Sequence, residues 1–164
     1  MIGNLYDGVV HKKLIGNTAA GKDGSAVASN AIATAGFDRV RVCIELGAVV
    51  DEATFTASIS ACDTSTGSFE DVVLFADEND PTDPVVITGK SDTTLILDCA
   101  LGLGREFIKV NYQRTTQNIE LDGIYLDFYG VRVIPVTQDS TILDEVVDFV
   151  PEAAEEEAAD GDDT

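Results

Sequence analysis

Between Gly36 and Val136 the chain passes through short stretches in which apolar and polar residues alternate, with turn residues between them. Val40, Val42, Ile44 and Leu46 alternate with Arg39, Arg41, Cys43 and Glu45. Successive side chains of an extended strand point to opposite faces, so a period of two predicts a strand with one face in a core. Phe55, Ala57, Ile59 and Ala61 alternate in the same way with Thr54, Thr56, Ser58 and Ser60. Further strands are expected over residues 69–75, 85–88, 94–99, 106–114 and 124–133. None of these stretches carries the 3.6-residue period of an amphipathic helix. The pattern predicts an all-β fold, an antiparallel β-sandwich or jelly roll with a flexible acidic C-terminal tail. Alternation does not reveal strand order, so it does not separate a jelly roll from an immunoglobulin-like sandwich. Few residues able to do chemistry interrupt the strands, which argues against an enzyme.

Three regions are expected. Residues 1–35 read as an N-terminal arm and loop, residues 36–140 as the β-sandwich domain, and residues 141–164 as a C-terminal extension. A chain of 164 residues with 45% apolar content suits one domain with its own core. The net charge of −20, from 30 acidic and 10 basic residues, repels phosphate backbones and anionic lipid. Nucleic acid and membrane surfaces are therefore not expected partners. Glu152, Glu155, Glu156, Glu157, Asp160, Asp162 and Asp163 crowd the end of the chain. Such a segment buries too little apolar surface to offset its ordering entropy, and disorder is expected there; a short Ala/Glu helix beyond Pro151 is the alternative. Residues 142–150 are more apolar and could dock on the domain or on a neighbour. The first ten residues lack the basic start and apolar core of a secretory signal, and no apolar run reaches membrane-spanning length. Cys43, Cys62 and Cys99 are odd in number and widely spaced, as expected of reduced structural thiols made in a cytoplasm.

Candidate chemistry changes this picture little. The run Gly16-Asn17-Thr18-Ala19-Ala20-Gly21-Lys22 fits the first seven positions of a phosphate-binding loop. Its eighth position is Asp23, which removes the metal-binding hydroxyl and sets a negative charge where phosphates would lie. Leu95-Ile96-Leu97-Asp98 resembles the apolar strand that ends in a magnesium-holding Asp in such enzymes, but no crossover helices are in evidence. A flexible Gly/Asn/Ala loop is the simpler reading of residues 16–22. Asp77-Glu78-Asn79-Asp80-Pro81 offers oxygen ligands to calcium, yet one loop supplies only part of a six-to-eight-oxygen shell. The acidic turn from Asp63 to Asp71 lacks the glycine spacing of an EF-hand, and solvated turns explain both segments. His11 is the single histidine, so no nucleophile–base arrangement can be assembled around a second one. No catalytic residue, cofactor or metal site is named. His11, Lys12 and Lys13 form a basic cluster, either a solvated strand end or an anchor on an acidic partner.

The stretch Gly36-Phe37-Asp38-Arg39-Val40-Arg41-Val42, leading into Leu46-Gly47, resembles the first core strand of small tailed-phage virion proteins, the head decoration or cement proteins. The likeness continues in order. Ser58-Ile59-Ser60-Ala61-Cys62-Asp63 is similar to a strand end that leads through a glycine turn, here Gly67, to an aromatic, here Phe69, and then Val72. Leu95-Ile96-Leu97-Asp98 and Arg105-Glu106-Phe107-Ile108-Lys109-Val110 follow. The resemblance spans Gly36 to Val136 and implies no catalytic residues and no cofactor. It implies a non-enzymatic protein on the capsid exterior of a virion, made in the host cytoplasm, that stabilises the shell. Its partners would be the major capsid protein and further copies of itself, with a homotrimer natural at symmetric capsid positions. His11, Lys12 and Lys13 are the candidate capsid-contacting arm, and deleting residues 1–13 is expected to abolish attachment without unfolding the domain. The alternative is a receptor- or glycan-binding sandwich of a tail or fibre, using Tyr112, Tyr125 and Tyr129.

Overall fold

The computed structural model describes residues 9–76, 83–102 and 104–131. In chain order the strands are β1 (Val10–Ile15), β2 (Thr18–Gly21), β3 (Val27–Ala28), β4 (Ile32–Ala33), β5 (Phe37–Val49), β6 (Thr54–Cys62), β7 (Glu70–Phe75), β8 (Val85–Val86), β9 (Thr93–Ala100), β10 (Phe107–Thr115) and β11 (Ile119–Val131). No helix occurs among the described residues. The first sheet runs β1-β11-β5-β9, with β2 also on β11. The second runs β3-β10-β6-β7, with β4 on β10 and β8 on β6. The observed pairings are antiparallel, and the two sheets pack face to face as a β-sandwich.

The core follows from the period of two. Val40, Val42, Ile44 and Leu46 of β5 and Phe55, Ala57, Ile59 and Ala61 of β6 are all buried, as the alternation predicts. Leu97 and Cys99 of β9, Ile108, Val110 and Tyr112 of β10, and five side chains of β11 join them, together with Ala53 and Ile87 from the connections. In β11 the inward positions are Ile119 and Leu121, then Ile124, Leu126 and Phe128. The phase changes because the register against β5 shifts between Leu121 and Gly123. One inserted residue flips every later side chain to the other face. Gly123 sits at that irregularity, where a Cβ would lie 2.7 Å from the Tyr125 ring, so glycine alone fits without displacing the tyrosine.

The N-terminal region departs from the expected arm and loop. From Val10 onward it supplies four edge strands: β1 and β2 pair with β11, and β3 and β4 pair with β10. The physical reason is that β11 and β10 would otherwise present open backbone edges. Removing residues 1–13 therefore takes most of β1 with it and is not a clean excision of an arm. The possible calcium segment Asp77–Asp80, the apolar stretch 142–150 and the acidic tail lie outside the described residues.

Candidate functional site

The outward residues of the first sheet line up in rows across its strands. One row reads His11, Asp127, Arg41, Asp98, from β1 through β11 and β5 to β9. The next reads Lys13, Tyr125, Cys43, Ile96. On the other side of the charged row, Tyr129 pairs with Arg39 and Arg39 with Ala100. The charged row is bound together laterally. His11 Nδ1 lies 2.5 Å from Asp127 Oδ1, and Arg41 Nε lies 3.6 Å from Asp98 Oδ2. Arg39 Nε donates to Asp98 Oδ1 and to the Tyr129 hydroxyl oxygen, both at 2.9 Å, and the Tyr129 hydroxyl donates to Asp98. Burial alone would raise the Asp98 carboxyl, but the hydrogen bonds from Tyr129 and Arg39 outweigh it and hold the group below its ordinary value. Arg41 and Arg39 stand over the Tyr129 ring at 5.6 and 6.0 Å, and Lys13 over Tyr125 at 5.8 Å.

The strand divides the basic cluster. His11 and Lys13 face outward with Asp127 and Tyr125, whereas Lys12 pairs with the buried Leu126 and turns to the inner side, beside Leu14 and Ile15. His11, Lys12 and Lys13 thus do not present one joint surface. The three tyrosines proposed for a glycan face also separate. Tyr112 is buried and stacks on Phe55 at 6.3 Å between ring centroids, while Tyr125 and Tyr129 share the outer face.

The phosphate-loop lookalike has a structural role of another kind. Thr18–Gly21 is strand β2 rather than a loop, and Asp23 is the partner of Arg114 on β10. The two side chains are 10% and 7% exposed. Arg114 Nε and Nη2 donate to the two carboxylate oxygens at 2.9 and 2.8 Å, and Nη1 donates to the carbonyls of Ala19 and Ile119. The Arg114 hydrogen bond holds the Asp23 carboxyl below its ordinary value. An Asp committed in this way closes the loop on the sandwich and leaves no cradle for phosphate.

On the second sheet the outward Ser58 and Ser60 are buried rather than solvated. Asn111 Nδ2 donates to both hydroxyl oxygens, at 3.1 and 3.0 Å, and Ser58 Oγ donates to Asp71 Oδ1 at 2.8 Å. A shallow groove of about 290 Å³ runs beside them between Leu74 and Tyr112. Ser58, Asp71 and Asn111 in its lining are already hydrogen-bonded to one another. Among the described residues, no three His, Cys, Asp or Glu side chains assemble into a metal ligand set, the Asp63 turn included.

The three cysteines are free thiols. Burial pushes the Cys99 thiol up, and burial followed by the nearby Asp127 charge does the same for Cys43. In the native protein a thiol reagent at neutral pH should leave Cys99 unmodified until denaturant is added. Stoichiometric native labelling of Cys99, located by peptide mapping, would show that the sheet opens far more readily than this packing implies. No protein-family model matches the chain, and a search of curated proteins finds no relative.

Proposed function

We propose that this chain is a non-enzymatic decoration protein of a tailed-phage head, binding the outer surface of the shell and stabilising it. What supports the reading is that the stretches carrying the resemblance fall, in order, on long paired strands of the sandwich and the turn between two of them. The stretch beginning at Phe37 is the inner strand β5, Leu95–Asp98 lies in its neighbour β9, and Phe107–Val110 opens the inner strand β10 of the second sheet. Gly67 occupies a turn where a Cβ would lie 2.7 Å from Thr64 Oγ1, which accounts for a glycine there. Phe69 beyond it lies under Lys109, with the ammonium 4.2 Å from the ring centroid. A close-packed core suits a protein that folds alone and then persists on a particle. Its partners would be the major capsid protein and further copies of itself, a homotrimer suiting threefold shell positions. Weak contacts repeated over a lattice give durable attachment.

The test is the copy number per major capsid protein in purified virions, measured by quantitative peptide mass spectrometry. Hundreds of copies per particle are expected; absence from the particle would overturn the proposal. A second reading, a glycan-binding module of a tail or fibre, is favoured by one observation. Tyr125 and Tyr129 share a face with the carboxylates of Asp98 and Asp127, the aromatic and polar mixture that a sugar contacts. A handful of copies per particle, with saturable binding on a glycan array lost in Tyr129→Ala, would move the assignment there.

A further inference from the structure

The charged row His11, Asp127, Arg41, Asp98 alternates in sign across the four strands whenever His11 is protonated, and its central pair alternates regardless. A row of this kind has a geometric property. A twofold axis parallel to the strands, placed midway between β11 and β5, reverses the order of the row. Arg41 then faces Asp127 of the second copy, Asp127 faces Arg41, and His11 faces Asp98. In the neighbouring row Tyr125 meets Cys43 and Lys13 meets Ile96. Around the two rows Lys13, Arg39 and Arg41 offset Asp98, Asp127 and Glu45, while Glu120 and Asp122 farther along β11 leave the face mildly acidic, in a chain whose net charge is −20. Opposite charges that meet across the axis offset part of the repulsion between two such acidic chains. Ile96 stands 56% exposed at the end of the apolar row, flanked by the ion pairs. Tyr, Arg and an exposed apolar side chain on one face is a combination enriched in protein–protein contacts.

We propose that the outer face of the first sheet docks on the same face of a second copy of this chain, about a twofold axis parallel to β5 and β11. Aligned sheets cross at roughly 30°, so the central pairs stay in register while the outer ones are offset by about 4 Å, within the reach of a lysine side chain. Four strands spaced by about 4.8 Å and the eight residues of β9 at about 3.3 Å each give a footprint of roughly 500 Å². That is below the roughly 800 Å² per partner of a standard interface, so the dimer is weak, in the micromolar range. Such a dimer would form whether or not the protein decorates a shell. On a shell it would supply contacts between neighbouring copies at local twofold positions.

Sedimentation velocity from about 1 to 200 μM, a span that brackets a micromolar Kd, is the test. The wild-type protein should shift from monomer to dimer over this range. Ile96→Lys lowers the net negative charge and would favour self-association if bulk repulsion alone governed it. Here it sets the new ammonium against Lys13 of the other copy and should weaken the dimer about tenfold. Arg41→Asp should weaken it as well, and the swap Arg41→Asp with Asp127→Arg should restore it. Circular dichroism checks that each variant is folded. A wild-type monomer at the highest concentration, or an oligomer indifferent to Ile96→Lys and Arg41→Asp, would overturn the proposal.

Discussion

Replacing Arg114 with Ala should destabilise the protein by about 3–5 kcal/mol, the cost of leaving one partner of a buried ion pair uncompensated. Arg114 is enclosed between β10, the β2 turn and the start of β11, and its removal strands the Asp23 carboxylate beside two carbonyls that lose their donor. At about 2–4 °C per kcal/mol for a domain of this size, Tm should fall by roughly 6–20 °C. Asp23→Ala should cost a similar amount, because it leaves the guanidinium buried without a counter-charge. The double variant Asp23→Ala with Arg114→Ala should lose less than the two single changes summed, since neither charge is then stranded. Chemical denaturation of the four proteins closes the cycle. Single changes within about 1 kcal/mol of wild type would mean that water reaches the pair and that it is not a lock.

The same pair sets an acid limit. Asp23 has its folded-state value below the ordinary 3.8, chiefly through its hydrogen bond with Arg114. Its contribution is therefore present above the unfolded value and is lost as pH falls through the folded one. Wild type should lose stability below pH 3.8 more steeply than Asp23→Asn, which has no carboxylate to protonate. Equal slopes in urea titrations between about pH 5 and pH 2 would show that other carboxylates carry the acid sensitivity.

Phe55→Ala should cost about 3–5 kcal/mol, the range for deleting a buried aromatic, because the close-packed sheets can collapse only partly into the space. Phe55 is fully buried near the Thr54 end of β6, stacks on Tyr112 and lies opposite Arg114 across the β6–β10 pair. The loss should therefore reach the ion pair as well, so that Phe55→Ala and Arg114→Ala combine non-additively. Phe55→Leu, which keeps most of the volume, should cost less than half as much. Equal effects of Leu and Ala in urea denaturation would mean that ring stacking rather than volume governs the site.

The alternation in β5 and β6 was readable because both strands are long, regular and apolar on one side. The start of β11 was not. Its inward positions change phase across Asp122 and Gly123, and a fixed period of two sees only the part beyond the irregularity. Strands β3, β4 and β8 have two residues each, too few to show any period. They exist because longer neighbours offer unpaired backbone, which is a tertiary fact. Ser58 and Ser60 fall on the polar side of the alternation, yet Asn111 lies across the β6–β10 pair and hydrogen-bonds both. Asp23 could be seen to spoil a phosphate loop, but nothing local pointed to Arg114, 91 residues away.

From sequence alone came the all-β class, the inward side of the long strands, the acidic character of the chain and the poor fit of the phosphate loop. These depend on side-chain period and on composition, which are local or additive. Only the tertiary structure decided the strand order, the incorporation of residues 10–33 as sheet edges, and the Asp23–Arg114 lock. It also decided which residues of β1, β11, β5 and β9 form one row. Each of those depends on register between segments far apart in the chain, and register is chosen by how two buried faces fit together rather than by either strand on its own.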